Sequence, residues 1–100
     1  MGAEAVRDIV KKFAIAIKAE YNPQSVYIFG SFAKGNSGGD SDIDVAVIVE
    51  KVDGDFWEKW SDLFSYSWDI DSKIEPHLLL ANSEHMLLDE IYKTGEKVLF

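Results

Sequence analysis

The stretch "FGSFAKGNSGGDSDIDVAVIV", Phe29 to Val49, decides how this chain is read. It holds four glycines, then Asp40, Asp42 and Asp44 on alternate positions, then an unbroken apolar run. Ile43 to Val49 reads as a strand that is apolar on both faces after Asp44, hence central and covered on both sides. Residues two apart in a strand face the same way. Asp42 and Asp44 therefore project from one face, about 6.5–7 Å apart along the backbone. Carboxylates that close repel one another and weaken the strand end unless a cation neutralises them. Oxygen ligands favour Mg²⁺ or Mn²⁺, and Mg²⁺ commonly takes one or two carboxylates plus substrate phosphates.

Two better-known motifs fail in this stretch. Gly30 to Ser37 has the glycines and the Ser of a P-loop, but Asn36 stands where the phosphate-binding Lys is required. Asp40, Asp42 and Asp44 match the first ligands of an EF-hand, but the sixth and twelfth positions are Val45 and Lys51 instead of Gly and Glu. Asp40 reads as a solvated turn residue.

Upstream, Ser25 to Phe29 is a short strand of β-branched and aromatic residues. Gly30-Ser31 follows it and opens a short helical turn over Ser31 to Lys34. Backbone N–H groups at such a point bind phosphate without a positive side chain, and Gly30 lets the backbone come close. If the two strands are neighbours, phosphate and metal meet in one cleft. Lys34 is a further nucleotide-binding candidate there. Two-metal sites need one more acid. Lys73 to Leu80 reads as a third strand, with Pro76 marking an edge or a bulge. Glu75 and His77 share one of its faces; Asp71 has the same parity but lies at the strand's entry. Glu75 is therefore preferred over Asp71, and His77 reads as structural or surface.

The rest of the chain supplies helices. Val6, Ile9, Val10, Phe13 and Ile17 mark a helix over Ala3 to Tyr21, stopped by Asn22-Pro23. Asp55 caps a second helix carrying Phe56, Trp57, Trp60, Leu63, Phe64 and Trp68. Core packing is the expected account of most of these aromatics. Three tryptophans are nonetheless a heavy load for a small core, and a surplus marks an interface with a partner or a second copy. Asn82 or Ser83 caps a last helix with Leu87, Leu88 and Ile91, and Lys97 to Phe100 forms a final strand. The expected order is α-β-α-β-α-β-α, an α/β (α+β) fold with a small mixed sheet and helices packed on it, in a single domain over residues 1–100.

Composition bounds the function. The 100 residues carry a net charge of −8 and no cysteine. Disulfide and thiolate chemistry is excluded, and the lack of cysteine and of a signal peptide fits the cytoplasm. No stretch is long and apolar enough to span a bilayer. So acidic a chain is a poor binder of phosphate backbone, so direct nucleic-acid contact is not expected.

Gly30-Ser31, ten residues, then Asp42-Ile43-Asp44 resembles the Gly-Ser-x10-Asp-x-Asp signature of the minimal nucleotidyltransferases, within the polymerase-β-like nucleotidyltransferase superfamily. The resemblance implies that fold. It implies Asp42 and Asp44 as ligands of two Mg²⁺ ions and Gly30-Ser31 holding the triphosphate of ATP; the third acid of the family is often Asp, and Glu75 takes that place here by strand parity alone. It implies transfer of AMP to an acceptor hydroxyl. Members this short are similar to antitoxins that adenylylate a tyrosine of a HEPN ribonuclease toxin. The rival expectations are a non-catalytic antitoxin or binding module, and nucleotidyl transfer to a small molecule.

Overall fold

The computed structural model of this protein describes residues 2–30 and 42–100. Val6, Val10, Phe13, Ala14, Ile17 and Tyr21 form one buried stripe along helix α1, Ala3–Tyr21. Its end is set by Asn22, which takes a left-handed conformation (φ 45°) and donates its N–H to the Lys18 carbonyl at 2.9 Å. Pro23 then forbids another turn.

Strand β1, Ser25–Phe29, runs antiparallel to β2, Ile43–Val49, in a register from Ser25↔Ile48 to Phe29↔Asp44. Chain reversal through helix α2, Phe56–Ile70, brings β3, Ile74–Leu80, parallel to β2. Helix α3, Met86–Thr94, then leads to β4, Glu96–Lys97, antiparallel to β1. Among the described residues the sheet is four-stranded and mixed, in the order β3-β2-β1-β4.

Because side chains alternate across a strand, the sheet has two chemically different faces. One carries Val26, Ile28, Ile43, Val45, Val47, Val49, Ile74 and Leu78, sealed by α1 and by Leu63 of α2. The other carries Phe29, Ala46, Ile48 and Leu79, packed against Leu88 and Ile91 of α3. β2 is buried at every position except Asp44, so its long apolar run is that of a central strand.

Pro76 sits in β3 at the sheet edge, where its missing N–H removes no ladder bond. The Trp60 indole N–H donates to the Pro76 carbonyl at 2.8 Å and covers that edge. α1 and α2 are clasped at Glu20, which accepts from the Tyr66 hydroxyl at 2.9 Å and from Lys59 Nζ at 3.3 Å. The Tyr66 hydrogen bond, then Lys59, holds the Glu20 carboxyl below the usual range against a partial burial penalty. Arg7 grips Glu96 in a bidentate pair, at 2.9 and 2.7 Å, and lowers that carboxyl likewise.

Several expectations are corrected in detail. The described residues run α-β-β-α-β-α-β; the short helical turn expected at Ser31 to Lys34, with Asp40, lies outside them. Neither Asn82 nor Ser83 caps α3. Ser83 Oγ donates back to the Leu80 carbonyl at 2.8 Å, closing a turn, and His85 Nδ1 accepts from Leu87 N as the cap. β3 begins at Ile74, not Lys73, and the last strand is Glu96–Lys97 instead of Lys97 to Phe100. Val98 N still donates to Val26 O at 2.8 Å, prolonging the pairing. Core packing accounts for only part of the aromatics of α2: Phe56 and Trp60 pack against the core, but Trp57 and Trp68 are 69% and 72% exposed, and Phe64 is exposed as well.

Candidate functional site at the β1–β2–β3 corner

The carboxyl end of β1 meets the amino ends of β2 and β3. Phe29 pairs with Asp44, so Gly30 lies directly beside the Asp44 side chain. Gly30 has φ +74°, a region that favours glycine. A Cβ built on it would collide with Asp44 Oδ2. Glycine is thus required twice here, once for the turn and once for the carboxylate packed against it. Ser31 and Lys34, the other expected nucleotide-binding residues, lie outside the described residues.

Parallel pairing places Glu75 opposite Asp44 and His77 opposite Ala46. All four belong to the face opposite α1, and Ala46 is too small to fill the space before His77. One donor atom from each of Asp44, Glu75 and His77 lies within 4.8 Å of the other two. His77 Nε2 stands 3.5 Å from Asp44 Oδ1. It is buried and has no hydrogen-bond partner among the described residues. The imidazole is held edge-on to Phe29, with ring centres 5.1 Å apart, and tilted on Trp60 at 6.2 Å.

Asp42 stands one residue ahead of β2, exposed, and is not part of that three-residue group. It shares with Glu75 a cavity of about 240 Å³, walled by Phe64 and Trp68 of α2 and by Lys73. Asp71 is used otherwise: it terminates α2, and its Oδ1 accepts from Lys73 N at 2.8 Å. Of the two candidates for a third acid, Glu75 is the one brought beside Asp44. Lys51 lies past the far end of β2, in a separate cleft with Glu20, Tyr21 and Asp53.

The corner fits a divalent cation. Ligand atoms on one ion, bound at about 2.0–2.2 Å, sit roughly 3 Å apart when adjacent and about 4.3 Å when opposed. His77 Nε2 and Asp44 Oδ1, 3.5 Å apart, already fall within that range, and Glu75 offers an oxygen within 4.8 Å of both. The orphaned His77 nitrogen and the facing carboxylates are what a cation would satisfy. Sequence reasoning noticed that His77 shares the Glu75 face but gave it no role. The signal was the strand parity; the burial of Nε2 depends on Phe29 and Trp60, which only the fold supplies.

A family model described as "Polymerase beta, Nucleotidyltransferase" matches residues 11–100. A Sulfolobus solfataricus protein assigned as a nucleotidyltransferase, solved at 1.40 Å, superimposes with TM-score 0.67 at 20% identity, over 98% of this chain and 81% of that one. A toxin-antitoxin solved with AMP-PNP matches with TM-score 0.59 at 26% identity, over 89% of this chain and 72% of its own. The toxin-antitoxin MntA-HepT matches with TM-score 0.60 at 20% identity, over 96% and 71%. No curated protein sequence gives a significant match. The fold is that of the polymerase-β-like nucleotidyltransferases, with the mixed sheet expected of them. The family model spans nearly the whole sequence and takes in all three strands of the corner, so the chain belongs to the Polymerase beta nucleotidyltransferase family, whose reaction is nucleotidyl transfer and whose members generally use a divalent metal and a nucleotide.

Proposed function

We propose that this protein transfers AMP from ATP, with Mg²⁺, to a hydroxyl of a partner protein, the acceptor being a tyrosine of a HEPN-type toxin that the modification silences. The observation that carries the reading is the register at the corner: Asp44 lies opposite Glu75, with Gly30 packed against the Asp44 carboxylate. Similarity to a toxin-antitoxin solved with AMP-PNP supports both an adenine nucleotide and a toxin partner. The aromatic wall beside Asp42 and Glu75 supports a protein acceptor, since exposed Trp and Phe are characteristic of interfaces.

Asp42, Asp44 and Glu75 would hold the divalent ions. Bound there, the ions supply charge neutralisation for the triphosphate and acidify the attacking hydroxyl. Gly30, followed by Ser31, offers backbone N–H groups to the triphosphate. The acceptor oxygen forms a bond to the α-phosphorus as the bond to the bridging oxygen of pyrophosphate breaks. Glu75 accepts the hydroxyl proton, and pyrophosphate leaves with the electron pair. Asp44, fixed between Gly30 and Glu75, keeps the reacting groups in line.

The test is incubation with α-labelled ATP, Mg²⁺ and the protein encoded beside it, followed by mass spectrometry. Label on a tyrosine of that neighbour, lost with Asp42→Asn in a variant that keeps its fold, is expected. Neutralisation of the neighbour without label would identify a binding module instead. Full labelling by the Asn variant would sink the mechanism.

A further inference from the structure

His77 is the one member of the corner that neither the signature nor the proposed chemistry uses. It lies two residues beyond Glu75 on the same face of β3. Pro76 between them has a fixed φ, and its carbonyl is tied to the Trp60 indole. The spacing of Glu75 and His77 is therefore stiff. Phe29 and Trp60 orient the imidazole from two sides. The small Ala46 opposite leaves it room to lean toward Asp44, and Nε2 ends 3.5 Å from Asp44 Oδ1 without a hydrogen-bond partner among the described residues. Leaving a buried nitrogen unsatisfied is destabilising. A protein that keeps one, aimed at two carboxylates, has a lone pair ready for a cation.

We infer that His77 Nε2 is a direct third ligand of the divalent ion shared by Asp44 and Glu75, and that it tunes this site toward a nitrogen-accepting transition ion over Mg²⁺. The inference rests on the proposed reading of Asp44 as a metal-holding residue. Mg²⁺ is hard, demands oxygen ligands and gains little from imidazole; first-row ions from Mn²⁺ to Zn²⁺ accept it readily. Two carboxylates and one imidazole on adjacent strands give such an ion three fixed protein positions and leave the others open to water or phosphate oxygen.

The experiment measures metal binding on the full chain without nucleotide. Mn²⁺ affinity is read from the free-ion paramagnetic resonance signal, and Mg²⁺ affinity by competition, for the wild type, His77→Gln, Asp44→Asn and the surface control His85→Gln. The wild type is expected to prefer Mn²⁺. His77→Gln should lose at least about tenfold in Mn²⁺ affinity, since removing even an outer-shell partner of a ligand has that effect, while Mg²⁺ affinity and His85→Gln stay level. In the unmodified protein, Zn²⁺ should shift the imidazole ¹⁵N resonance of His77 Nε2 and leave that of His85 unchanged, a readout that stands even if the Gln variant does not fold. Equal Mn²⁺ affinity in His77→Gln and wild type, an equal loss for both metals, or an unmoved His77 resonance overturns the inference. If Asp44→Asn abolishes binding and His77→Gln changes nothing, only the role of His77 falls. If Asp44→Asn binds both metals normally, the reading of Asp44 falls with it.

Discussion

The two faces of the central sheet share a backbone and differ in almost everything else. The face under α1 and α2 is continuous hydrocarbon, with Phe13, Ile17, Val45, Val47 and Leu63 removed from solvent. The opposite face is covered by α3 over Phe29, Ala46, Ile48 and Leu79, and at its open end it carries Asp44, Glu75 and His77. One face therefore holds the molecule together, and the other spends its open end on polar groups that repel or lack partners. Such groups lower stability unless a ligand completes them, which is the usual mark of a functional site.

The contrast can be broken from either side. On the proposed role of Asp44 as a metal-holding residue, Asp44→Asn should cut nucleotidyl transfer by on the order of 10³-fold, because losing such a ligand forfeits several kcal/mol of transition-state stabilisation. Its melting temperature in the absence of metal should stay level or rise, since one of two facing carboxylates is gone. Transfer assays paired with thermal melts check both halves. Phe13→Ala on the sealed face should do the reverse. It should cost roughly 3–5 kcal/mol in urea unfolding, while the folded fraction keeps its specific activity.

Gly30→Ala tests the point where the two faces' demands meet. The left-handed backbone costs a non-glycine residue about 1–2 kcal/mol, and the new methyl displaces the Asp44 carboxylate. Stability and transfer should both fall, and a metal-binding titration should weaken in parallel. Transfer at the wild-type level would mean that the Gly30–Asp44 contact is dispensable.

The smallest effect lies at the periphery. Glu20 and Glu96 titrate below the ordinary carboxylate value because of Tyr66 and Lys59 in the first case and Arg7 in the second. A depressed carboxyl contributes stability that is fully present above its unfolded-state value, about 4.3, and lost as pH falls through the lower folded-state value. Melting temperature should hold between neutral pH and about 5, then drop below about 4.3. Both pairs are largely solvated, so Glu96→Gln should remove no more than a few degrees of that acid-side loss.

Much of this contrast was written into the sequence. The 3.6-residue stripe of α1, the β-branched run of β1 and the apolar run of β2 each fix one element, because local pattern and tertiary burial agree there. The place of Asp44 at the start of β2 and the parity of Glu75 were enough to anticipate that the two share one face of the sheet. Other features depend on partners distant in sequence. Asp42 and Asp44 share parity, yet Asp44 alone is brought within 4.8 Å of Glu75 and His77, since the ladder begins only at Ile43. The orphaning of His77 Nε2 follows from Phe29, Trp60 and Ala46 on three other elements. The α3 cap was missed because Ser83 finds a closer acceptor at Leu80, leaving His85 to take the role. The exposure of Trp57 and Trp68 was legible only as surplus.

The edge of β3 bears on how this protein meets others. Pro76 has no N–H to give, and its carbonyl is already occupied by an indole from the same chain. A visiting strand meets an interrupted ladder at Pro76, in the middle of that border, which disfavours lengthening the sheet on that side by a partner or by another copy. Edge-to-edge strand pairing, a common route from a small β-containing domain to insoluble fibres, is hindered at this border.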